Sequence, residues 1–410
     1  GIVAVTSTGV FGTFTADADG NWTYDVDNAN ATVQALDAGS NLTETFTLTS
    51  VDGSASEVVT ITITGTNDVP TIAGSTSGSV TEDGVLQTTG TVTFTDVDAG
   101  ESGIVAVTST GVFGTFTADA DGNWTYDVDN ANATVQALGA GSNLTETFTL
   151  TSVDGSASEV VTITIDGTND VPTVAGVNTG ELIEDGLVVI SGVLTIADVD
   201  SGESSYSAQA GSVGSFGAFN LDASGNWDFT LTADTESLRE GQIVTDVFTV
   251  SSVDGSASQD VTITITGTND VPVVTSAVQG SQSEDASFFK LDLLSGASDV
   301  DANDTLSVDT ASIALVSGDD SGVTINNDGT LEVDPGAYNL LAEGSIETVT
   351  YSYNIEDSSG ASVSQTAIVT ITGANDVPDI TGQFSGSVLE DGNLTVSGTL
   401  TIDDADLGEN

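Results

Sequence analysis

Residues 58–70 read Val-Val-Thr-Ile-Thr-Ile-Thr-Gly-Thr-Asn-Asp-Val-Pro, a β-branched run followed by a polar tag. Alternation of apolar residues with threonine has the two-residue period of a β-strand with one buried face. The tag recurs as Gly-Thr-Asn-Asp-Val-Pro or Gly-Ala-Asn-Asp-Val-Pro at 65–70, 167–172, 267–272 and 373–378. Its prolines are 102, 100 and 106 residues apart, which is the size of one ordinary domain. The chain is therefore predicted to be an array of repeats.

The segments around this run also have β character. Residues 43–49 and 90–95 alternate polar and apolar side chains, and Asp19-Gly20-Asn21 is typical of a hairpin turn. Residues 30–42 are less regular and are predicted to hold one short helical turn. Short strands at this spacing predict an all-β fold, with Ig-like β-sandwiches of about seven strands following one another in an extended linear array.

The tags divide the chain into five parts. A partial sandwich, the C-terminal two thirds of a repeat, is predicted at 1–68, and the N-terminal third of another at 377–410. Complete sandwiches are predicted at 69–170, 171–270 and, in divergent form, 271–376. Residues 1–66 and 103–168 differ at two positions only, Asp37 against Gly139 and Thr64 against Asp166. Near-identical neighbours indicate recent duplication.

The composition excludes several kinds of protein. The chain has 62 acidic residues against 2 basic ones, Arg239 and Lys290, and no His, Cys or Met, so its formal net charge is −60. Triad catalysis and structural zinc sites lack their side chains. Nucleic acid is excluded as a partner because its phosphates are bound by Lys and Arg. No apolar stretch predicts membrane insertion, and no signal peptide is visible at Gly1, which fits an internal part of a longer chain.

Acidic residues cluster at four places that recur along the repeats. The first two places are the Asn-Asp linker and an Asp-x-Asp motif, found at Asn67, Asp68, Asn169, Asp170, Asn269, Asp270, Asn375 and Asp376, and at Asp96, Asp98, Asp198, Asp200, Asp299, Asp301, Asp404 and Asp406. The other two are Val-Asp-Gly or its variant and Glu-Asp, found at Asp52, Asp154, Asp254 and Asp357, and at Glu82, Glu184, Glu284 and Glu390 with the Asp that follows each.

This recurrence in register predicts calcium sites. Calcium takes six to eight oxygen ligands from carboxylates, amides and carbonyls, whereas magnesium prefers a small, rigid octahedron. Unneutralised carboxylates at this density repel each other, and the chain offers almost no basic side chains. The alternative is that acidic loops only keep the protein soluble. Residues 17–21 hint at an EF-hand, but Asn28 stands where its bidentate Glu belongs, so they are interpreted as a turn.

Several motifs in order resemble the VCBS repeat of very large bacterial adhesins, including those of the RTX type. They are Asp-Gly-Asn-Trp-Thr-Tyr at 121–126, Gln-Ala-Leu at 136–138, Val-Asp-Gly-Ser-Ala-Ser at 153–158 and the tag at 167–172. The resemblance covers 1–268. The unit at 272–374 lacks the Trp turn and resembles the cadherin-like repeats of the same proteins, and 378–410 begins another unit. No Gly-Gly-x-Gly-x-Asp array is present.

A second resemblance is to cadherins, carried by Val-Asp-Gly, the strand into Asn-Asp-Val-Pro, and Asp-x-Asp-x-Gly. It implies that each linker shares calcium with the Asp-x-Asp and later Asp of the following repeat, and that Glu82, Glu184 and Glu284 serve the junction after them. The chain departs from cadherins where those carry Asp-Arg-Glu: the corresponding residues are 36–38, 138–140 and 238–240, and only Leu238-Arg239-Glu240 is close. One or two ions per junction are therefore expected.

The resemblances imply a calcium-rigidified stalk that holds an adhesive tip away from a bacterial surface, extracellular, serving adhesion or biofilm formation, and not an enzyme. Its partners would be the neighbouring repeats. A glycosidase needs two carboxylates, but among 62 acids a pair is uninformative.

Two alternatives stay open. Trp22, Trp124 and Trp227 could stack on surface glycans, although Trp22, Tyr24 and Val26 share the face of a core stripe. The partial repeats could complete each other between copies in a head-to-tail filament, or belong to a longer chain.

Overall fold

The computed structural model describes residues 1–406 and residue 408. These residues form two compact units. The first comprises Gly1–Val174, Ile196–Ser205 and Ser252–Ala257, and the second comprises Ala175–Thr195, Tyr206–Ser251 and the rest of the chain from Ser258. Apart from short helical turns the structure is all β, as the sequence predicts.

The partial repeat at the start of the chain has two small sheets. Its elements are β1 (Val5–Thr8), β2 (Gly12–Ala16), β3 (Trp22–Val26), α1 (Ala31–Gln34), β4 (Asn41–Thr49) and β5 (Ser56–Thr64). Strands β1, β2 and β3 form an antiparallel sheet in that order, and β4 pairs with β5. The helix α1 is the predicted helical turn, capped by the Asn30 side chain, which accepts a hydrogen bond from the Thr32 N–H.

The first complete repeat is a sandwich of eight strands rather than about seven. Its elements are β6 (Thr71–Gly74), β7 (Ser77–Thr81), β8 (Gln87–Thr95), β9 (Val107–Thr110), β10 (Gly114–Ala118), β11 (Asn123–Val128), α2 (Ala133–Gln136), β12 (Asn143–Thr151) and β13 (Ser158–Asp166). One sheet has the order β6-β8-β11-β10-β9, and the other has the order β12-β13-β7.

The additional strand arises at Gly74, where the chain crosses from one sheet to the other. Gly74 has a φ of 124°, and a Cβ there would lie 2.2 Å from the Thr91 carbonyl oxygen, so only glycine fits. Before it, β6 pairs antiparallel with β8, and after it, β7 pairs parallel with β13. The strands on the two sides of Gly74 thus belong to different sheets, and the continuous chain links the two sheets at the start of the repeat.

The core between these sheets is built around three aromatic rings. Phe116 stacks on Phe148 with ring centroids 4.6 Å apart, and on Trp124 at 5.9 Å. The Trp124 side chain is 1% exposed, and its indole N–H donates to the Ser75 carbonyl at 3.0 Å. The core interpretation of this tryptophan position is therefore right for Trp124. It is equally right for Trp227, which is 2% exposed and donates to Val177 at 2.7 Å.

Trp22 differs from these two tryptophans, because its side chain is 48% exposed. Its strand β3 is the last in its sheet, whereas the equivalent β11 is covered by β8. Without such a strand, the indole has neighbours on one side only, through stacking on Phe14 at 5.8 Å.

The second complete repeat has the same architecture. Its strands are β14 (Thr173–Gly176), β15 (Thr179–Ile183), β16 (Val189–Ala197), β17 (Gln209–Val213), β18 (Gly217–Leu221), β19 (Asn226–Leu231), β20 (Ile243–Ser251) and β21 (Ser258–Thr266). They form sheets of order β14-β16-β19-β18-β17 and β15-β21-β20.

The divergent repeat has nine strands, β22 (Val273–Val274), β23 (Val278–Ser283), β24 (Phe289–Asp292), β25 (Ala297–Ser298), β26 (Ser307–Ser317), β27 (Val323–Ile325), β28 (Thr330–Val333), β29 (Ile346–Glu356) and β30 (Ser362–Thr372), with a 3-10 helix at Pro335–Tyr338. Its main sheet has the order β23-β30-β29-β26. In the last partial repeat, β31 (Asp379–Gly382) pairs with β32 (Leu400–Asp403). Within the described part of the chain, none of the helices is long and apolar enough to cross a membrane.

Candidate metal centres at the repeat junctions

Each Asn-Asp linker is hydrogen-bonded to the Asp-x-Asp motif of the following repeat. We call the sites around the linkers 67–68, 169–170, 269–270 and 375–376 junctions 1 to 4. At each of them the linker Asp N–H donates to Oδ2 of the second Asp of the motif, as seen for Asp68 to Asp98 (2.7 Å), Asp170 to Asp200 (2.8 Å), Asp270 to Asp301 (2.9 Å) and Asp376 to Asp406 (3.1 Å). The pairing predicted for these residues is thus present as a contact.

The Asp-x-Asp motif forms a tight turn of its own. The N–H of Asp200 donates to Oδ1 of Asp198 at 3.0 Å, and the equivalent bond joins Asp98 to Asp96 at 2.9 Å. This turn places both carboxylates on one side of the backbone at the end of the long strand that precedes it. One oxygen of each carboxylate accepts a backbone N–H, and the other has no hydrogen-bond partner.

The linker Asn reaches the later Asp of the following repeat. Its amide Nδ2 donates to Oδ2 of that Asp at junctions 1, 2 and 3, for Asn67 to Asp154 (3.0 Å), Asn169 to Asp254 (3.2 Å) and Asn269 to Asp357 (3.0 Å). At all four junctions the linker Asn amide also donates to the carbonyl of the linker Asp, at 2.7 Å for Asn375 to Asp376 at junction 4. There Asn339 also donates to the Asp376 carboxylate at 3.0 Å.

The Glu near the start of each complete repeat lies at the junction that follows it. Its carboxylate accepts the N–H of the residue before the linker Asn, for Glu82 from Thr168 (3.0 Å), Glu184 from Thr268 (3.0 Å) and Glu284 from Ala374 (2.8 Å). These three residues are 1%, 5% and 1% exposed. Both the preceding and the following repeat therefore supply acidic groups to each of these junctions.

A further acidic residue that the sequence reasoning omitted completes each group. Carboxylate oxygens lie within 4.8 Å of one another in the sets Asp96, Glu101 and Asp154 at junction 1, Asp198, Glu203 and Asp254 at junction 2, and Asp299, Asp304 and Asp357 at junction 3. Glu101, Glu203 and Asp304 each follow the first Asp of the motif by five residues. That constant spacing is the signal that would have identified them.

In the described residues, buried side-chain oxygens without a hydrogen-bond partner are confined to these junctions. They are Glu82 Oε2, Asp96 Oδ2, Asp98 Oδ1, Glu101 Oε2, Asp154 Oδ1, Glu184 Oε1, Asp198 Oδ2, Asp200 Oδ1, Glu203 Oε2, Asp254 Oδ1, Asn269 Oδ1, Asp270 Oδ2, Glu284 Oε2, Asp299 Oδ2, Asp301 Oδ1, Asp304 Oδ2 and Asp406 Oδ1. A buried, unpaired carboxylate oxygen is costly. The oxygens of each junction are of the kind that hard divalent cations bind, so the residues present fit such an ion.

Buried carboxylates elsewhere in the repeats are fully hydrogen-bonded, which sets the junctions apart. Glu146, 9% exposed, accepts the N–H groups of Val112 and Phe113 and, at 2.7 Å, the Tyr126 hydroxyl. Asp246, in the next repeat, is 4% exposed and accepts two backbone N–H groups in the same way. The unpaired oxygens are thus a property of the junctions and not of buried acids in general.

The acidic residues of the junctions are of two kinds, those whose pKa is raised and those whose pKa is lowered. Burial, with the charges of neighbouring carboxylates, raises the pKa of Glu82 and Glu203 above the usual range of glutamate. Conversely, the hydroxyls of Ser252 and Ser256 hold the pKa of Asp254 down at about 2. The later Asp of each repeat is thus fixed as an anion, while the Glu residues are charged at a cost that a bound cation would remove.

The sequence of the described repeats matches cadherin-like families. The bacterial cadherin-like domain matches residues 67–167 and 169–267, and the cadherin-like domain matches residues 268–372, so together they cover about three quarters of the chain. The chain is a tandem array of cadherin-like domains, a family that is normally not enzymatic. The junctions described above are the acidic clusters between these domains.

Several solved structures are similar to the chain at low sequence identity. They include protocadherin gamma B2 extracellular cadherin domains 1–5 (17% identity, 91% of this chain, 74% of that chain, TM-score 0.44). Others are Drosophila N-cadherin EC1–4 (16%, 88% and 90%, TM-score 0.32) and the human desmocollin-1 ectodomain (13%, 97% and 78%, TM-score 0.32). No curated protein matches the chain.

Proposed function

We propose that these repeats are a calcium-rigidified stalk of a large bacterial surface adhesin, outside the cell, with no enzymatic activity. The observation that carries the proposal is the set of buried, unpartnered oxygens that recurs at the junctions. At junction 2 this set is drawn from Glu82 in one repeat and from Asp198, Asp200, Glu203 and Asp254 in the next. A cation bound by both groups ties consecutive repeats together.

Calcium is the ion that best fits these oxygens. The ligands are carboxylates with one amide oxygen, in loops rather than in a rigid cage, and calcium accepts six to eight such oxygens in flexible geometry. Zinc and copper prefer the nitrogen and sulfur of His and Cys, which the chain lacks.

A bound cation would stiffen a junction because it neutralises the charges of the carboxylates there. Without the ion, the carboxylates at a junction repel one another, and hydrogen bonds such as Asp170 to Asp200 and Asn169 to Asp254 oppose that repulsion. With the ion, the linker and the loops on both sides are ligands of one centre. A chain of such junctions holds whatever lies at its far end away from the cell, which supports adhesion or biofilm formation in the way that the VCBS and RTX-type resemblance implies.

Small-angle X-ray scattering of the full chain, with calcium and with excess chelator, tests the proposal. We expect chelation to change the maximum dimension and to give the scattering of a flexible chain. A triple variant with Asp98→Asn, Asp200→Asn and Asp301→Asn should scatter in calcium as the chelated chain does. A matched triple variant at exposed Asp residues outside the junctions, Asp19→Asn, Asp25→Asn and Asp121→Asn, should behave as wild type. An unchanged maximum dimension on chelation would refute the proposal.

We also propose a second role, association of one copy with another, favoured by complementary exposed faces. Trp22 is 48% exposed where Trp124 is 1%, and in the last partial repeat Leu400 and Ile402 are 53% and 54% exposed. Their equivalents in the first complete repeat, Val92 and Phe94, are 0% and 3% exposed. Gly398 also stands where Gly90 admits the Trp124 ring, so this segment has the side chains to cover Trp22.

Light scattering over a range of concentrations separates this role from the first. We expect a molar mass that rises with concentration and stays at one chain in a Leu400→Asp variant, because a charge on that strand cannot be buried against Trp22. Acrylamide quenching should report Trp22 as accessible in the variant and protected in wild type. One-chain mass at all concentrations would exclude self-association and leave the stalk proposal untouched.

A further inference from the structure

Junctions 2 and 3 differ in the side chains that surround one aspartate, although the repeats before them have the same strand order. In the repeat before junction 2, Asp83 follows the buried Glu82. Its Oδ1 accepts hydrogen bonds from Asn130 Nδ2 at 2.6 Å and Gln136 Nε2 at 3.3 Å, and its N–H donates to Asn130 Oδ1 at 3.0 Å. These amides hold the pKa of Asp83 below its usual range. The Asp83 carboxylate is therefore satisfied within its own repeat.

In the following repeat, the amide that meets this carboxylate is replaced by an acid. Gln136 lies two residues before Leu138, and Glu236 two residues before Leu238; both leucines are buried, and their carbonyl oxygens lie against Gly167 and Gly267 in the same way. Position 236 is thus the structural equivalent of 136. One carboxylate oxygen each from Asp185, Glu236 and Asp270 lies within 4.8 Å of the others.

This second cluster has few hydrogen-bond donors. The Thr268 hydroxyl donates to Asp185 Oδ2 at 2.8 Å, while Asp270 Oδ2 is buried without a partner. Arg239, three residues from Glu236, forms no ion pair within the described residues, where the one salt bridge joins Lys290 to Glu332. Burial, followed by the charges of Asp185 and Asp301, raises the pKa of Asp270.

An independent feature indicates that a ligand belongs here. Glu184, adjacent to Asp185, is 95% buried, being 5% exposed, and its Oε1 has no hydrogen-bond partner. Its Oε2 accepts the Thr268 N–H at 3.0 Å, and the hydroxyl of the same Thr268 donates to Asp185, so the Glu184 carboxylate lies beside the cluster. Four carboxylates then converge with one hydroxyl as their side-chain donor, and repulsion of that kind is relieved by a bound cation.

We propose that junction 3 binds one hard divalent cation more than junction 2, at Asp185, Glu236 and Asp270 beside Glu184, and that Glu236 in place of Gln136 makes the difference. The inference rests on the proposed function, since it extends the cation sites of the junctions. It implies that successive junctions of one array are not equivalent. Stiffness would then vary along the array as the calcium concentration changes.

Counting bound calcium on the full chain tests this, by equilibrium dialysis with radioactive calcium at physiological ionic strength and saturating free calcium. We expect Glu236→Gln to lower the count by one ion per chain, because it restores the carboxylate–amide pair of junction 2. We expect Gln136→Glu to raise the count by one, because it completes the equivalent acidic group with Glu82, Asp83 and Asp170. Glu240→Gln removes the same charge from an exposed position four residues further on, and should leave the count unchanged.

The outcomes separate the inference from the proposal on which it rests. An unchanged count for Glu236→Gln, an equal loss for Glu240→Gln, or no gain for Gln136→Glu would overturn the inference while the other ions stay bound. A wild-type chain that binds no chelator-sensitive calcium would refute the proposed function itself. Circular dichroism of each variant establishes that a changed count is not a consequence of unfolding.

Discussion

The backbone N–H of Asp170 donates a 2.8 Å hydrogen bond to Oδ2 of Asp200, while Oδ1 of the same carboxylate is buried and has no partner. The side chain of Asp200 is 2% exposed. One carboxylate thus anchors the linker and keeps its second oxygen directed to the junction. The same arrangement recurs at Asp98 and Asp301, where Oδ2 accepts the linker N–H and Oδ1 is buried without a partner.

The first prediction concerns Asp200→Asn. The amide oxygen can still accept the Asp170 N–H, so the linker contact is kept, but the junction loses a charge and a ligand oxygen. We expect calcium affinity at junction 2 to fall by at least about tenfold, which lowers the calcium-dependent stabilisation by about 1.4 kcal/mol. Thermal unfolding measured over a calcium titration gives this quantity directly.

Asp121→Asn is the matched control for this variant. Asp121 is exposed in a hairpin turn and has no junction contact. Its substitution removes the same charge from the chain as Asp200→Asn does. If both variants lost the same calcium-dependent stabilisation, the effect would reflect net charge and not the site.

The second prediction concerns Glu203, which the sequence reasoning left out. Its Oε2 is buried without a partner, and it lies in one group with Asp198 and Asp254. We expect Glu203→Gln to weaken calcium binding as much as Asp200→Asn does. Because the neutral amide avoids the cost of charging this carboxylate, stability in the absence of calcium should not fall and should rise slightly. Glu181→Gln in the same chain, on an exposed strand position, should change neither quantity. Normal calcium affinity in Glu203→Gln would remove this residue from the site.

The contrast between Glu203 and Asp200 shows what the sequence could and could not reveal. Periodicity over 58–64 predicts the strand because the side chains of a half-buried sheet must alternate. The linker and Asp-x-Asp residues stand out because their motifs recur. Glu203 follows Asp198 in a Gly-Glu pair at the same distance at which Glu101 follows Asp96, but the sequence does not display the turn that brings its carboxylate back to Asp198.

The exposed Trp22 and the paired Asp83 were beyond prediction for related reasons. Trp22 has the same neighbours in sequence as the buried Trp124, but its burial depends on a strand some 30 residues earlier in a complete repeat. Asp83 and Asp185 occur in the same Glu-Asp motif, and only the amide or acid about 50 residues later decides their contacts. Such long-range dependence is a property of the fold and not of the local sequence.

The third prediction tests the core position of Trp124. A Cβ at Gly90 would lie 2.3 Å from Cζ2 of the Trp124 ring, so Gly90→Ala must displace a buried indole or a central strand. Overpacking of this kind costs about 1–3 kcal/mol. Urea unfolding at fixed calcium, followed by tryptophan fluorescence, should show that loss.

Gly84→Ala is the control, because the nearest atom to its Cβ would be Thr81 Cβ at 3.5 Å, an ordinary contact. We expect a change within about 0.5 kcal/mol. Equal stability of Gly90→Ala and wild type would mean that the indole is loosely held, and would reopen the glycan-stacking alternative for this tryptophan.

The fourth prediction is that the pH dependence of stability changes sign with calcium. In the metal-free chain, burial raises the pKa of Glu82 and Glu184 above its unfolded value. Such a group contributes stability that is present below the unfolded pKa of glutamate and is lost as pH rises through the folded pKa. The melting temperature in chelator should therefore rise as pH falls from 7 towards about 4.5. In saturating calcium it should fall over the same interval, because protons compete with the ion for the same carboxylates.

Below that interval both curves should fall together. Asp254 has a pKa lowered to about 2 by the Ser252 and Ser256 hydroxyls, and a lowered carboxylate contributes stability that is lost as pH drops below the ordinary value for aspartate. Replacing Glu82 and Glu184 by Gln should flatten the metal-free curve between pH 7 and 4.5 and leave the acid limb in place. Parallel curves with and without calcium above pH 4.5 would show that these buried carboxylates do not bind the ion, since only shared groups make the two slopes differ in sign.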